Sequence, residues 1–397
     1  MRTPMIVFCL VLLLAGSAPA VDSLNVRLVG RWDSLPDNFS FGVAAQGSYA
    51  YVADFGDGLR VISVADPSHP TEVGYYDTPG QADGVVVLGE LAYVSDGDSG
   101  LRVISVADPA HPTEVGHCAT LDYAREVVVV DGLAYVADDS GLTVISVADP
   151  AHPSPVGRYD QRYGAFGLAV AGAYAYLGND DGLWVISIAD PTQPTCVGRY
   201  VTSGMGVAVQ GDYAYVAAGY AGLRVVSVAD PANPVEVGYL GDSMSAAVRL
   251  AVSGDYVYVV PGIQAGGLRV ISVADPANPA VVGYHYLGAN CVALDGSYIY
   301  AGAARSLAIL QFYGEGVEES LDPQVTSVKL GLTVVRGVLT LRSGAGASSC
   351  WLLDGAGRKM RALHQGANDV SHLAPGVYFV YQAQAQAQAV TKVLIVK

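Results

Sequence analysis

A ten-residue stretch, Gly58-Leu-Arg-Val-Ile-Ser-Val-Ala-Asp66-Pro67, returns in near-copies from Gly100 to Pro109, Gly141 to Pro150, Gly182 to Pro191, Gly222 to Pro231 and Gly267 to Pro276. Its Asp-Pro pairs start at 66, 108, 149, 190, 230 and 275, so the steps are 42, 41, 41, 40 and 45 residues. A fixed period of this size means one supersecondary unit that buries its apolar faces against copies of itself. Each unit reads as four strands. In the fifth these are Gly206–Gln210, Tyr213–Ala217, Leu223–Val228 and a last one ending at Val237-Gly238. Val, Ile and Tyr suit strands, and four strands in about 40 residues make one propeller blade. The apolar runs are nearly continuous, as expected when neighbouring blades cover both faces of each sheet. The 47 glycines and 20 prolines supply the turns.

The strand count predicts how the array ends. The tyrosine of the second strand occurs seven times, at Tyr51, Tyr93, Tyr135, Tyr176, Tyr215, Tyr258 and Tyr300. The Val-Gly ending also occurs seven times, but its first copy, at Gly30, precedes any complete unit. The last unit, 289–313, has three strands. The chain is therefore expected to be all-β, a seven-bladed β-propeller in which Val26–Trp32 supplies the missing outer strand and removes two sheet edges. An open stack of repeats is the alternative, and it would need capping repeats.

The recurring G-L-x-V-I-x-V-x-D-P-x-x-P pattern over about residues 25–313 resembles the LVIVD-type bacterial propeller repeat, whose members are mostly surface proteins. The resemblance implies the fold more than an activity.

Both ends suggest an address. Arg2, the apolar run Met5–Leu14 and Ala18-Pro19-Ala20 read as a signal peptide, 1–20, with Val21 starting the mature chain. No later segment has the length of a membrane span. Residues 21–313 form the expected propeller and 314–324 an acidic linker. Residues 325–397 are expected to fold as a small Ig-like β-sandwich with a hairpin of Leu332–Val335 and Val338–Leu341. Here Asp354-Gly-Ala-Gly-Arg-Lys359, Gly366–Leu373, Gly376-Val-Tyr-Phe379 and Thr391–Lys397 resemble the type A C-terminal sorting domain of type IX secretion. That resemblance implies the export machinery as a partner and passage through the periplasm to the cell surface or the medium. Cys118, Cys196, Cys291 and Cys350 fit no metal spacing and read as unpaired apolar residues.

Acidic residues number 37 against 21 basic ones, for a net charge of -16, which excludes a phosphate-binding footprint and hence nucleic acid. There is no G-x-S-x-G, H-E-x-x-H, Walker loop or C-x-x-C. His69, His111 and His152 share one slot with Gln193, Asn233 and Asn278, a turn position on separate blades that cannot converge on a metal.

Two sets of residues are candidates for binding. The turns between second and third strands carry Asp54 and Asp57, Asp96 and Asp98, Asp138 and Asp139, and Asp180 and Asp181, expected to form an acidic rim. No cofactor is expected. Calcium at this rim is the one metal with a chemical basis, although no Asp-x-Asp-x-Asp-Gly loop with a glutamate twelfth ligand occurs. The residues entering the inner strands, Phe41, Asp83, Arg125, Glu126, Phe166, Met205, Arg249 and Asn290, are expected at the channel mouth, where charge is hard to explain by packing. They suggest a non-catalytic binding module for a cation, a basic peptide or a polyol. A surface hydrolase or lyase using Asp83 and Glu126 from adjacent blades is an alternative, as is a structural surface-layer component.

Overall fold

A computed structural model describes residues 23–33, 40–161, 163–241, 247–261, 267–303 and 306–313, and strand segments between 333 and 395. The expected signal peptide and linker lie outside the described residues. The chain divides into two compact units, Met1–Glu319 and Ser320–Lys397.

The first unit is a seven-bladed propeller, and no helix occurs among the described residues. The first blade runs Gly42–Gln46, Tyr49–Ala53, Leu59–Ser63 and Thr71–Tyr76 from the centre outwards, and the next five repeat that order. Inner and middle strands are covered on both faces: Tyr49–Ala53 is buried from Ala50 onwards. In the outer strand Thr71–Tyr76 only Gly74 is fully buried.

The expected closure is present. The seventh sheet is ordered Ala289–Asp295, Tyr298–Ala303, Ser306–Phe312 and finally Val26–Asp33. The register runs from Val26 opposite Phe312 to Asp33 opposite Ser306. A bulge between Leu28 and Gly30 shifts the alternation of this strand. Val26 therefore packs into the core between the sixth and seventh blades, with Leu268 and Leu310. Trp32 packs into the core between the seventh and first, with Ile62 and Ile309. The segment also reaches the sixth blade: Ser23 and Leu24 pair with His285 and Tyr284, and Asn25 Nδ2 donates to the Val282 carbonyl at 2.8 Å.

The two signatures of the repeat meet at six of the seven junctions, all but the one between the sixth and seventh blades, where Gly283 faces Leu24 and Val26 instead. A Cβ on Gly74 would lie 2.3 Å from the Pro109 carbonyl oxygen of the next blade, one on Gly116 2.3 Å from that of Pro150, and one on Gly238 2.1 Å from that of Pro276. The Val-Gly ending thus exists because the outer strand runs against the Asp-Pro turn of the following blade, too close for any side chain. Gly30, on the closing strand, makes the same approach to Pro67 at 2.2 Å. Gly116→Ala is expected to cost about 3 kcal/mol or more, because backbone rather than a movable side chain blocks the methyl. Chemical denaturation checks this, and a loss below about 1 kcal/mol would show that the junction is slack.

The shared histidine slot has a local role. Nδ1 of His69, His111 and His152 lies 3.0, 2.9 and 2.9 Å from Oδ2 of Asp66, Asp108 and Asp149. Asn233 and Asn278 make the same bond through Nδ2, at 2.8 Å, to Asp230 and Asp275.

In the second unit Ser349–Leu353 pairs with Lys359–Leu363, and Gly376–Ala383 with Gln388–Ile395. The expected hairpin does not form. Thr333–Val335 runs parallel to Gln388–Ile395, whereas Val338–Leu341 pairs with Gly366–Asp369 in a separate two-stranded sheet. Adjacent segments diverge because each finds a longer-range backbone partner.

Candidate functional site

Every inner strand begins at one end of the channel, so equivalent residues form rings around it. Pairing to the second strand sets the register: Gly42, Gly84, Glu126, Gly167, Gly206, Arg249 and Cys291 lie opposite Ala53, Ser95, Ala137, Gly178, Ala217, Val260 and Gly302. Four of the seven are glycine because neighbouring inner strands nearly touch here. A Cβ on Gly167 would meet Met205 O at 2.6 Å, and one on Gly206 would meet Val248 O at 2.6 Å. Glu126 and Arg249 thus project from a ring that is otherwise largely free of side chains. They pair with each other, Oε2 to Nη1 at 3.0 Å, joining the third blade to the sixth. The same Nη1 also donates to the Phe166 carbonyl. An open recess surrounds this pair, lined by Phe41, Val85, Glu126, Leu168, Arg249 and Cys291 among others.

One residue further out lies a second ring: Phe41, Asp83, Arg125, Phe166, Met205, Val248 and Asn290. The sequence reading merged these two rings into one set. Asp83 is 7% exposed. Burial pushes its carboxyl up to about 6; Arg249 and Arg125 pull against that, Glu126 adds to it, and the Tyr123 hydroxyl opposes it. Burial likewise raises Glu126, opposed by Arg249. Tyr123 lies beside this group, its hydroxyl donating to Gln81 Oε1 at 2.8 Å.

The other members do different work. Arg125 does not line the recess. Its guanidinium stacks between the rings of Tyr123 and Phe166, 4.9 and 5.0 Å from their centroids, and binds Asp139 through two nitrogens, Nη2 to Oδ2 at 2.9 Å. Its charge is therefore already matched. A bulge between Ala124 and Glu126 turns Arg125 outwards while Glu126 keeps its place in the ring. Phe41 lines the recess and packs on Phe55, ring centroids 5.2 Å apart. Asn290 is buried and donates to the Ser40 carbonyl at 3.4 Å, tying the last blade to the first. Met205 is half-buried and lies outside the recess lining.

The acidic rim needs correction. Asp54, Asp96 and Asp138 are almost wholly buried. They end the second strands and accept bonds from what lies around them: Asp96 from the connection entering its blade, Thr78 Oγ1 at 2.5 Å and Gly80 N at 2.9 Å; Asp138 from its own turn, Ser140 N at 2.9 Å, and the next strand, Thr143 Oγ1 at 2.7 Å; and Asp54 from Ser40 Oγ, before the first inner strand, at 3.3 Å. Asn179, not Asp180, continues the series in the fourth blade, accepting from Asp181 N at 2.9 Å. Burial raises the three carboxyls, and Arg60 and Arg102 lie 3.8 and 3.4 Å from Asp54 and Asp96. Asp57 and Asp181 pair with Arg60 and Arg199 at 3.0 and 2.6 Å, and Asp139 with Arg125. Asp98 and Asp180 remain exposed. Three of the eight carboxylates therefore close blades and three are held by arginines, so the turns do not form a continuous acidic rim. Among the described residues no three His, Cys, Asp or Glu side chains are grouped to hold a metal.

Counting seven residues back from the residue that opens each second strand (Tyr49, Leu91, Leu133 and so on) would have separated the rings in the sequence. Tyr123 was missed because it sits in a connection of irregular length that carries no repeat signal.

Asp83 titrates against the fold. Its carboxylate is harder to ionise when folded than in an open chain, near 3.9, so the stability it allows is complete below about pH 4 and is lost as pH rises through 6. Asp83→Asn is expected to stabilise the protein by roughly 1–3 kcal/mol at pH 7.5 and by little at pH 4. Denaturant midpoints at the two pH values check this; equal shifts at both would rule it out.

These features define a class: a closed seven-bladed propeller whose channel mouth holds buried, partly compensated charge. The LVIVD repeat profile matches residues 40–78, 79–120, 122–161, 164–202, 203–241 and 245–285, and the chain belongs to the LVIVD repeat family. The six matches correspond to the first six blades; the seventh, split between the two ends of the unit and lacking the Asp-Pro turn, is not among them. The fold is similar to that of the computationally designed Ika8 protein, at 10% identity and TM-score 0.52, over 72% of this chain and 99% of that one. It is similar also to a chain of the Mitotic Checkpoint Complex, at 15% identity and TM-score 0.61, over 79% of this chain and 100% of that one. None of the curated proteins matches the chain.

Proposed function

We propose that this chain is an exported, non-catalytic recognition module that takes its ligand at the channel mouth. A propeller of LVIVD repeats fits a binding or interaction module. The observation that carries the reading is the Glu126–Arg249 pair, projecting from a largely glycine ring into an open recess, with the buried Asp83, outside the recess lining, within electrostatic reach of both. Burying charge there costs stability that packing alone does not require. Glycan and peptide arrays probed with the full chain test it. Ligands retained by the protein and lost in Asp83→Ala and Glu126→Ala support it; ligands kept by both variants refute it.

Export rests on the signal-like residues 1–20 and on the sorting-domain resemblance of residues 325–397. Release of a chain starting at Val21 into the medium or onto the surface, lost when 325–397 is removed, is the expected result.

A hydrolase reading is favoured by one observation, the raised carboxyls of Asp83 and Glu126. Turnover of chromogenic glycosides with an optimum near pH 6, abolished in Asp83→Asn, would put it first.

A further inference from the structure

The strands alternate in direction, so the connections into each inner strand and the turns between second and third strands share the end of the propeller that holds the mouth. Large apolar side chains stand exposed on that end: Leu121 at 67%, Val201 at 70%, Tyr220 at 88% and Tyr286 at 51%. Each comes from a different blade or connection on the end that holds the recess. The opposite end is built of Asp-Pro turns, with aspartates and histidines bonded to one another. Exposed apolar groups around a recessed polar centre are the anatomy of a protein-binding face.

The centre has an unbalanced charge. Asp139 matches Arg125. Arg249 faces both Glu126 and Asp83, so among the described residues one negative charge is left in excess.

We propose that this end docks a polypeptide that inserts one arginine or lysine side chain beside Asp83 and Glu126, while its apolar neighbours rest on Leu121, Val201, Tyr220 and Tyr286. This rests on the channel mouth being the ligand site. The ligand cation replaces the compensation that Arg249 divides between two carboxylates, and the apolar contacts distinguish a peptide from a free cation.

The test uses fluorescent blocked pentapeptides with a central arginine, lysine, leucine or glutamate between leucine flanks, titrated into the full chain. The arginine and lysine peptides are expected to bind, and the leucine and glutamate peptides to bind at least about tenfold more weakly. Asp83→Asn, which is not expected to unfold the protein, weakens the arginine peptide by about tenfold or more. Glu90→Gln, on the opposite end, leaves it unchanged. Tyr220→Ser weakens the peptide and leaves free L-arginine, a weaker ligand, unaffected. Lowering the pH from 8 to 5 weakens binding, as Asp83, flanked by Arg249, Arg125, Glu126 and Tyr123, gains a proton. Preference for the glutamate peptide, equal binding of the leucine peptide, equal affinity for free arginine or no binding at all overturns the proposal. If an uncharged array ligand is lost in Glu126→Ala, the cationic partner falls but the recognition site stands. If array ligands survive in both mouth variants, both fall.

Discussion

Deleting residues 23–33 is expected to abolish cooperative unfolding of the propeller. The segment supplies the outer strand of the seventh blade and an added strand to the sixth. Its loss removes Val26 from one inter-blade core and Trp32 from the next. Each buried side chain of this size contributes about 1.5–3 kcal/mol. The backbone groups of Ser306–Phe312 also lose their ladder and become an open apolar edge. The total is on the order of 5 kcal/mol or more, comparable with the whole stability of an ordinary domain. The deleted chain should lose its sharp thermal transition and aggregate in gel filtration. A synthetic peptide of residues 23–33 should restore the transition, because the interface is preformed by six intact blades. A deleted chain that stays monomeric, with a melting temperature within a few degrees of the parent, would mean that the ring does not depend on this closure.

Arg249→Met should be the most costly single change at the mouth. It leaves Glu126 and Asp83 without their shared cation in a recessed site. Removing one partner of such a pair costs about 3 kcal/mol, the low end for pairs that keep some contact with solvent. The loss should be larger at pH 8 than at pH 5, where the raised carboxyls of Asp83 and Glu126 take up protons and relieve the imbalance. Arg249→Met with Glu126→Gln should recover all but about 1 kcal/mol, since two neutral groups replace the pair. Denaturation of the two single variants and the double variant measures the coupling. Additive losses would show that the 3.0 Å pair carries no interaction energy.

The propeller was legible because a periodic sequence repeats its physical constraints. Gly30 announced an outer strand without a blade, and Ser306–Phe312 a blade without an outer strand; one pairing satisfies both. The mouth was only partly legible. Glu126 and Arg249 stood out as charges at strand starts, but their neighbours in the sequence, Arg125 and Val248, belong to the other ring. The bulge that separates Arg125 from Glu126 is a backbone event with no residue signature. The aspartates of the turns misled for a related reason. An Asp-Gly turn reads as exposed hairpin chemistry, yet in the first three blades the first carboxylate of the turn folds inwards, where for Asp96 the adjacent connection supplies Thr78 and Gly80 as donors.

Residue order alone determined the number of blades, their strand order and the closure, since these follow from local period and from the rule that sheet edges must be paired. It also carried the Val-Gly and Asp-Pro signatures, although not the reason that they occur together. Only the tertiary structure decided that these meet across six of the seven junctions, that Glu126 reaches Arg249 from 123 positions away, and that Asp54, Asp96 and Asp138 are interior. Such facts depend on which way a side chain points and on what lies opposite it, and a closed ring sets both through contacts between residues far apart in the chain.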